Sequence, residues 1–392
     1  MDPHNFPDCS VCGQKLGDKV YQSPRRVSLT TGGLMVPEST EVFFCHGCAH
    51  IYTRPVLDLE RYYDKDYNIN LSSAEDDDLY AWTPERSSYR SQHQAETLLR
   101  KLALPQGSMV LDYGCAKAAS SRRIAASRED LQIHLFDVSE NYRAAWDKIA
   151  PAECCATYHL PVGWRARFDV VYSFFVLEHV TTLTRALDDI ARVLKPDGRF
   201  YWIVPNVFRN HGDLLVIDHI NHFTPVSINE SLQRAGFQLE EIDEHSHRNA
   251  FVITARKHPR SNNTAPTPGA IESALAQTKA IADGWLQMQH DIRAFESGSS
   301  MRQSGVIYGS GFYGTLIATT LRDPARIRCF LDQNPHRQGQ KRLRLPIVAP
   351  DQLPIGIDHA YIGLNPATSP EELAQVRKTL FPVEDVFVLS RP

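Results

Sequence analysis

Between Met109 and about Arg256, short apolar runs alternate with stretches whose apolar positions recur at spacings of three and four. The runs Met109–Tyr113, Ile133–Asp137, Phe168–Ser173 and Arg199–Val204 are rich in β-branched or aromatic residues and end at breakers, which predicts buried strands. Ser120–Ser127 and Leu183–Leu194 carry the helical spacing. Strand and helix in alternation predict an α/β fold, a parallel sheet covered by helices on both faces.

The flanks follow other patterns. A Tyr-rich stretch from Leu57 to Leu104 is predicted to be a helical connector. His258–Gly269, with Pro259, Pro266 and Pro268 among Ser, Asn and Thr, has the composition of a linker. Ile271, Leu275, Ile281, Trp285, Ile292 and Phe295 then fall near helical spacing and predict one amphipathic bridging helix. From about Ser304 a strand leads into a second glycine-rich turn, Gly309-Ser-Gly-Phe-Tyr-Gly314. The expected division is residues 1–56, 57–257 (with the connector 57–104), a linker and bridging helix 258–303, and 304–392.

Composition narrows the function classes. The 392 residues suggest two or three domains at roughly 100–200 residues each. A net charge of −4 argues against a nucleic-acid partner, which would require a basic face. No apolar run approaches the ~18 residues of a membrane span, and the amino terminus lacks the layout of a signal peptide, so the cytoplasm is the expected compartment. The acidic run Glu75–Asp78 is expected to be a solvated loop. In a reducing compartment the eight cysteines are more suited to metal binding than to disulfides.

Two pairs stand out, Cys9-x-x-Cys12 and Cys45-x-x-Cys48. Four thiolates in two short hooks suit a closed, tetrahedral and structural Zn2+ site. Gly13 and Gly47 help each hook to turn, and His46 and His50 are expected to be bystanders. Cys115, Cys154, Cys155 and Cys329 fall in predicted buried elements and read as small apolar residues.

Val110–Ala118 ends a predicted strand and enters a helix through Gly114, so backbone N–H groups and a helix N-terminus would lie beside a ligand. Asp137 ends the next strand, placed to accept hydrogen bonds from a ribose diol. On geometry alone this is a nucleotide-type α/β site. The set Leu111-Asp-Tyr-Gly114, Phe136-Asp137, Phe168-Asp-Val-Val-Tyr-Ser173, Val176-Leu-Glu-His-Val180 and Leu194-Lys-Pro-Asp-Gly198 resembles the class I S-adenosylmethionine methyltransferases in order and spacing. The resemblance implies a Rossmann-like domain with S-adenosylmethionine held by Asp112, Tyr113, Gly114, Cys115 and Ala116, by Asp137, Val138 and Ser139, and near Ser173 and Phe174. Ala116 and Ala118 stand where the family has glycines; alanine is tolerated there at negative φ, though its methyl narrows the space.

The whole order, with cysteine hooks first and a second glycine-rich α/β segment last, resembles the sugar C-methyltransferase family acting on nucleotide-linked deoxy sugars. That resemblance implies a small zinc-binding domain in front, a second Rossmann-like domain at the end, and an acceptor site at His219, Asn221, His222 and His179. Asn221 and His219 replace the family's glutamate and tyrosine, so methylation at carbon or at oxygen is open. Methyl transfer asks mainly for in-line positioning and one base. His222 is the first candidate for that base and His179 the second, with Tyr63 and Tyr67 as residues that line the pocket or simply pack.

Two other readings compete. The replaced glycines and glutamate suit a non-catalytic binding protein that kept the fold. The turn at Gly309–Gly314 with Asp332 beyond it matches a dinucleotide fingerprint, which would make the chain an NAD-dependent oxidoreductase. Arg337, Lys341, Arg342 and Arg344 nearby suit either a diphosphate or a solvated face.

Overall fold

The computed structural model describes residues 7–67, 77, 79–82, 87–259, 265–298 and 303–390. The chain separates into two compact units. One takes in the chain up to Lys19 with Val42–Val207 and Asp218–Leu275, and the other consists of Val20–Glu41, Phe208–Ile217 and Ala276–Pro392.

The first unit is built on a seven-stranded sheet in the order Cys155–Thr157, Gln132–Asp137, Met109–Tyr113, Phe168–Phe174, Leu194–Pro205, Ala250–Lys257, Phe237–Asp243. The first five strands pair in parallel. Ala250–Lys257 runs antiparallel to both of its neighbours, so the sheet is mixed where an all-parallel one was expected. The reason is local: Phe237–Asp243 turns straight back into Ala250–Lys257, and a connection that short cannot make a parallel crossover.

Side chains alternate across the sheet into two cores. Leu111, Val171 and Phe200 pack on one face with Leu187 and Ile190 of the helix Leu183–Val193 and with Ile228 and Leu232 of the helix Pro225–Ala235. Val110, Val170 and Tyr201 pack on the other with Leu98 of the helix Arg90–Lys101 and Ile124 of the helix Ala119–Ser127. The hooks lie in this same unit. Glu41–Phe44 pairs with Ile51–Thr53, which pairs in turn with the two-residue strand Asn221–His222.

The connector is helical only in part. Leu59–Arg61 begins a helix that widens into a π turn over Tyr62–Asp66, and Leu79–Trp82 pairs with Ser87–Tyr89 as a hairpin before the helix Arg90–Lys101. Of the acidic run, Asp77 alone lies among the described residues. It is not merely solvated: it accepts hydrogen bonds from the Ser91 N–H (3.2 Å) and Oγ (2.5 Å), tying down the start of that helix.

The second unit has its own sheet, with Leu345–Val348, Ile327–Leu331, Gly305–Tyr308, His359–Ile362 and Asp385–Val388 all parallel. The bridging helix runs from Pro268 to Ser297, and residues 260–264 of the expected linker lie outside the described residues. In the turn Gly309–Gly314 the glycines serve packing: a Cβ on Gly314 would stand 1.9 Å from the Gly309 carbonyl oxygen, and one on Gly309 (φ 92°) 2.7 Å from that of Gly363. Asp332 accepts hydrogen bonds from the Ser310 N–H (2.9 Å) and Oγ (2.5 Å), so its carboxylate is engaged by the turn itself. Cys115 and Cys329 are buried as expected, whereas Cys154 and Cys155 are only half-buried. Among the described residues no helix is long and apolar enough to cross a membrane.

Candidate functional site

The strand Met109–Tyr113 ends in a tight loop that is closed on itself. Gly114 N–H and Cys115 N–H both donate to the Phe136 carbonyl, at 2.8 and 3.0 Å, and Ala118 N–H donates to the Cys115 carbonyl at 2.7 Å. Gly114 has φ 82°, and a Cβ there would meet Val176 at 2.4 Å, so this position needs glycine twice over. Ala116 and Ala118 have φ of 43° and 53°. The tolerance expected of alanine at negative φ therefore does not apply: both sit in the left-handed region that glycine occupies at no steric cost. Trp146 holds the loop from outside, its Nε1–H donating to the Ala116 carbonyl at 2.6 Å.

Asp137 lies at the centre of this loop, 7% exposed, accepting from Ala116 N–H at 2.7 Å and from Ser139 N–H at 3.1 Å. Burial pushes its carboxyl up to about 6, against the downward pull of those amides. Asp112 is equally buried and pushed up to about 7 by the same cause, but its carboxylate is held by Ser121 Oγ at 2.5 Å, on the face covered by the helix Ala119–Ser127. Val138, 47% exposed, presents an apolar side chain next to the buried acid. Ser173 Oγ donates to the Tyr113 carbonyl, and Phe174 follows it at the strand end, half-buried against Tyr172 and Tyr201. The residues expected around a nucleotide cofactor are thus brought together at the ends of three adjacent strands, where open α/β sheets hold their ligands.

A second cluster is assembled by the turn Tyr62–Asp66. Tyr63 Oη lies 2.7 Å from Asp218 Oδ2 and 2.5 Å from His179 Nδ1, and that nitrogen lies 3.0 Å from the Asp218 carbonyl. Burial first, and the Asp218 charge second, hold the Tyr63 hydroxyl well above its usual range, so it stays protonated and donates to Asp218. An Nδ1–H that donates to the Asp218 carbonyl leaves the His179 lone pair on Nε2. His219 stacks edge-on against His179, ring centroids 4.6 Å apart. The same turn reaches the loop after Asp137: Ser139 Oγ and Asn141 Nδ2 donate to the Asp64 carbonyl at 3.0 and 2.8 Å. One segment therefore touches both the cofactor loop and the histidine cluster.

His222 and Asn221 lie on the side of the hooks. His222 is fully buried with Nε2 2.8 Å from Thr53 Oγ1. Asn221 donates to the Leu177 and Val180 carbonyls, while its oxygen accepts from Ser10 Oγ at 2.7 Å and stands 3.1 Å from His50 Nε2. Sequence reasoning singled out His179 and His219 but missed Asp218 and the role of Tyr63. The available signal was modest: an acid beside His219, and tyrosines recurring in a segment otherwise read as connector.

The four hook sulfurs gather as the spacing predicts. Cys9 and Cys48 Sγ are 3.6 Å apart and Cys12 and Cys45 Sγ 3.4 Å, with all four within 4.8 Å of one another. Zn–S bonds of about 2.3 Å in a tetrahedron put sulfurs roughly 3.8 Å apart, which this arrangement fits with little movement. Gly13 makes the first turn at φ 75°. His46 faces Asp18 and His50 faces Asn221, so neither belongs to the sulfur cluster.

Comparison with known proteins bears on the sheet and its loops. Residues 87–242 match the family model described as a methyltransferase domain. This stretch is a class I, S-adenosylmethionine-dependent methyltransferase domain. The chain is also similar to solved structures. One is an S-adenosylmethionine-dependent methyltransferase from Mesorhizobium loti, 18% identical, with a TM-score of 0.35, covering 42% of this chain and 97% of that one. Another is the Burkholderia thailandensis 1,6-didemethyltoxoflavin-N1-methyltransferase, with 1,6-didemethyltoxoflavin and S-adenosylhomocysteine bound, 21% identical, with a TM-score of 0.33, covering 43% of this chain and 79% of that one. No curated protein matches the chain. The enzyme is a methyltransferase.

Proposed function

We propose that the enzyme methylates a sugar, carried on a nucleotide, at oxygen or carbon, in glycan or natural-product assembly in the cytoplasm. The observation that carries this reading is the turn Tyr62–Asp66, which lies against the loop of Asp137 and also sets Tyr63 on His179 and Asp218. An acceptor bound at those side chains would sit close to a cofactor bound at that loop. S-adenosylmethionine supplies a methyl on a sulfonium, whose sulfur keeps the electron pair as the new O–CH3 or C–CH3 bond forms. The protein's share is positioning and removal of the acceptor's proton. That proton leaves into the Tyr63, His179 and Asp218 network. His179 takes precedence over His222, whose Nε2 is already engaged by Thr53. The hooks hold zinc as a structural ion, and Tyr113, Gly114, Cys115, Ala116, Val138, Ser139, Ser173 and Phe174 form the cofactor site, with Asp112 behind the loop holding Ser121 rather than facing the cofactor.

The glycines of the turn Gly309–Gly314 are required by packing inside the turn, a Cβ on Gly314 standing 1.9 Å from the Gly309 carbonyl oxygen, so no dinucleotide is needed to account for them. The test is to incubate the full chain with a pool of nucleotide sugars and isotopically labelled cofactor, followed by mass spectrometry. A labelled sugar product is expected, with turnover lost in His179→Ala while cofactor affinity is kept. No labelled sugar, or full turnover in His179→Ala, would overturn the reading.

A further inference from the structure

Glu178 and His179 sit in the one-turn helix Leu177–His179, and His219 faces them from the segment that leads into Asn221–His222. Glu178, His179 and His219 each offer one ligand atom, and these three atoms lie within 4.8 Å of one another. Glu178 and His219 are buried, at 1% and 6% exposure, and His179 is the member that reaches the surface. Asp218 and Tyr63 stand against the same imidazole. Two imidazoles and one carboxylate form a donor set chemically distinct from the four sulfurs of the hooks, and it suits a divalent first-row transition ion with open positions left for a substrate. The His179 Nδ1 contact with the Asp218 carbonyl is the outer hydrogen bond that orients a ligating imidazole and puts its lone pair on Nε2.

We infer that Glu178, His179 and His219 form a second metal site, which binds a divalent first-row transition ion at the acceptor cluster. In catalysis, which rests on the sugar-acceptor reading above, the ion would polarise the acceptor's oxygen and so make its proton easier to remove. With the ion bound, the His179 lone pair would belong to it, Tyr63 and Asp218 would brace the imidazole from its Nδ1 side, and the acidified acceptor proton would leave to solvent. Ion binding needs neither acceptor nor cofactor, so it can be judged apart from the methyltransferase reading.

The test is titration of the zinc-loaded full chain with Co2+, followed by calorimetry and visible absorption. The expected result is one further equivalent of Co2+ whose spectrum lacks the thiolate charge-transfer band of a sulfur site. Glu178→Gln and His219→Ala should each weaken that binding at least tenfold with the far-UV dichroism and the bound zinc unchanged. Should both variants lose their fold, His179→Gln, at the more exposed ligand, carries the test. No second equivalent, an equivalent that survives in the variants, or a thiolate band showing that Co2+ has entered the hooks would overturn the inference.

Discussion

Ala116 and Ala118, at φ 43° and 53°, stand where the methyltransferases that the loop resembles carry glycines. A left-handed L-residue costs roughly 1–2 kcal/mol, partly offset by the entropy that glycine adds to the unfolded chain. Ala118→Gly should therefore raise stability by about 0.5–1 kcal/mol, read by chemical denaturation; a loss of stability would mean that the methyl is packed to advantage. Asp137 sets a pH dependence. Its carboxyl is pushed up to about 6 by burial, and a ribose diol donates to the ionised form. Cofactor affinity should thus be level above about pH 6 and fall close to tenfold per unit below it. Affinity unchanged down to about pH 4.5 would place the ribose elsewhere. A pKa raised on folding also means that burying Asp137 costs stability wherever it is ionised. Its contribution is best below the usual carboxylate range and is lost as pH rises through about 6.

At the scale of elements, local pattern carried far. Met109–Tyr113 and the helix starting at Leu183 follow directly from apolar spacing, because a strand or helix buried against a core must declare its face in sequence. What failed to show was non-local. The reversed strand Ala250–Lys257 is as apolar as a parallel one would be, so its direction depends on the connection and not on its residues. The Asn221–His222 pairing with Ile51–Thr53 spans most of the unit's length and is only two residues long. Asp218 went unread for the same reason: its partner Tyr63 comes from a distant turn. The helix Pro225–Ala235 offers a check on this joint. Thr224 caps its N-terminus through Ser227 N–H at 3.1 Å and also donates to the Ala49 carbonyl beside the hooks at 3.2 Å. Thr224→Ala should cost about 1–2 kcal/mol, while Thr224→Ser keeps most of the stability; equal losses in both would point to the methyl group rather than to the hydroxyl.

For the whole molecule, the turn Tyr62–Asp66 ties the loop of the methyltransferase sheet to the cluster of Tyr63, His179 and Asp218, where the acceptor is proposed to bind. The second unit's glycine turn is built by close packing. Asp137 and the loop at Ala116 are proposed to hold S-adenosylmethionine. The most direct test is calorimetric titration of the full chain with S-adenosylmethionine near neutral pH, beside Asp137→Asn. Saturable binding of one equivalent is expected, displaced by S-adenosylhomocysteine and weakened at least tenfold in the variant. No saturable heat, or the same affinity in both proteins, would contradict it.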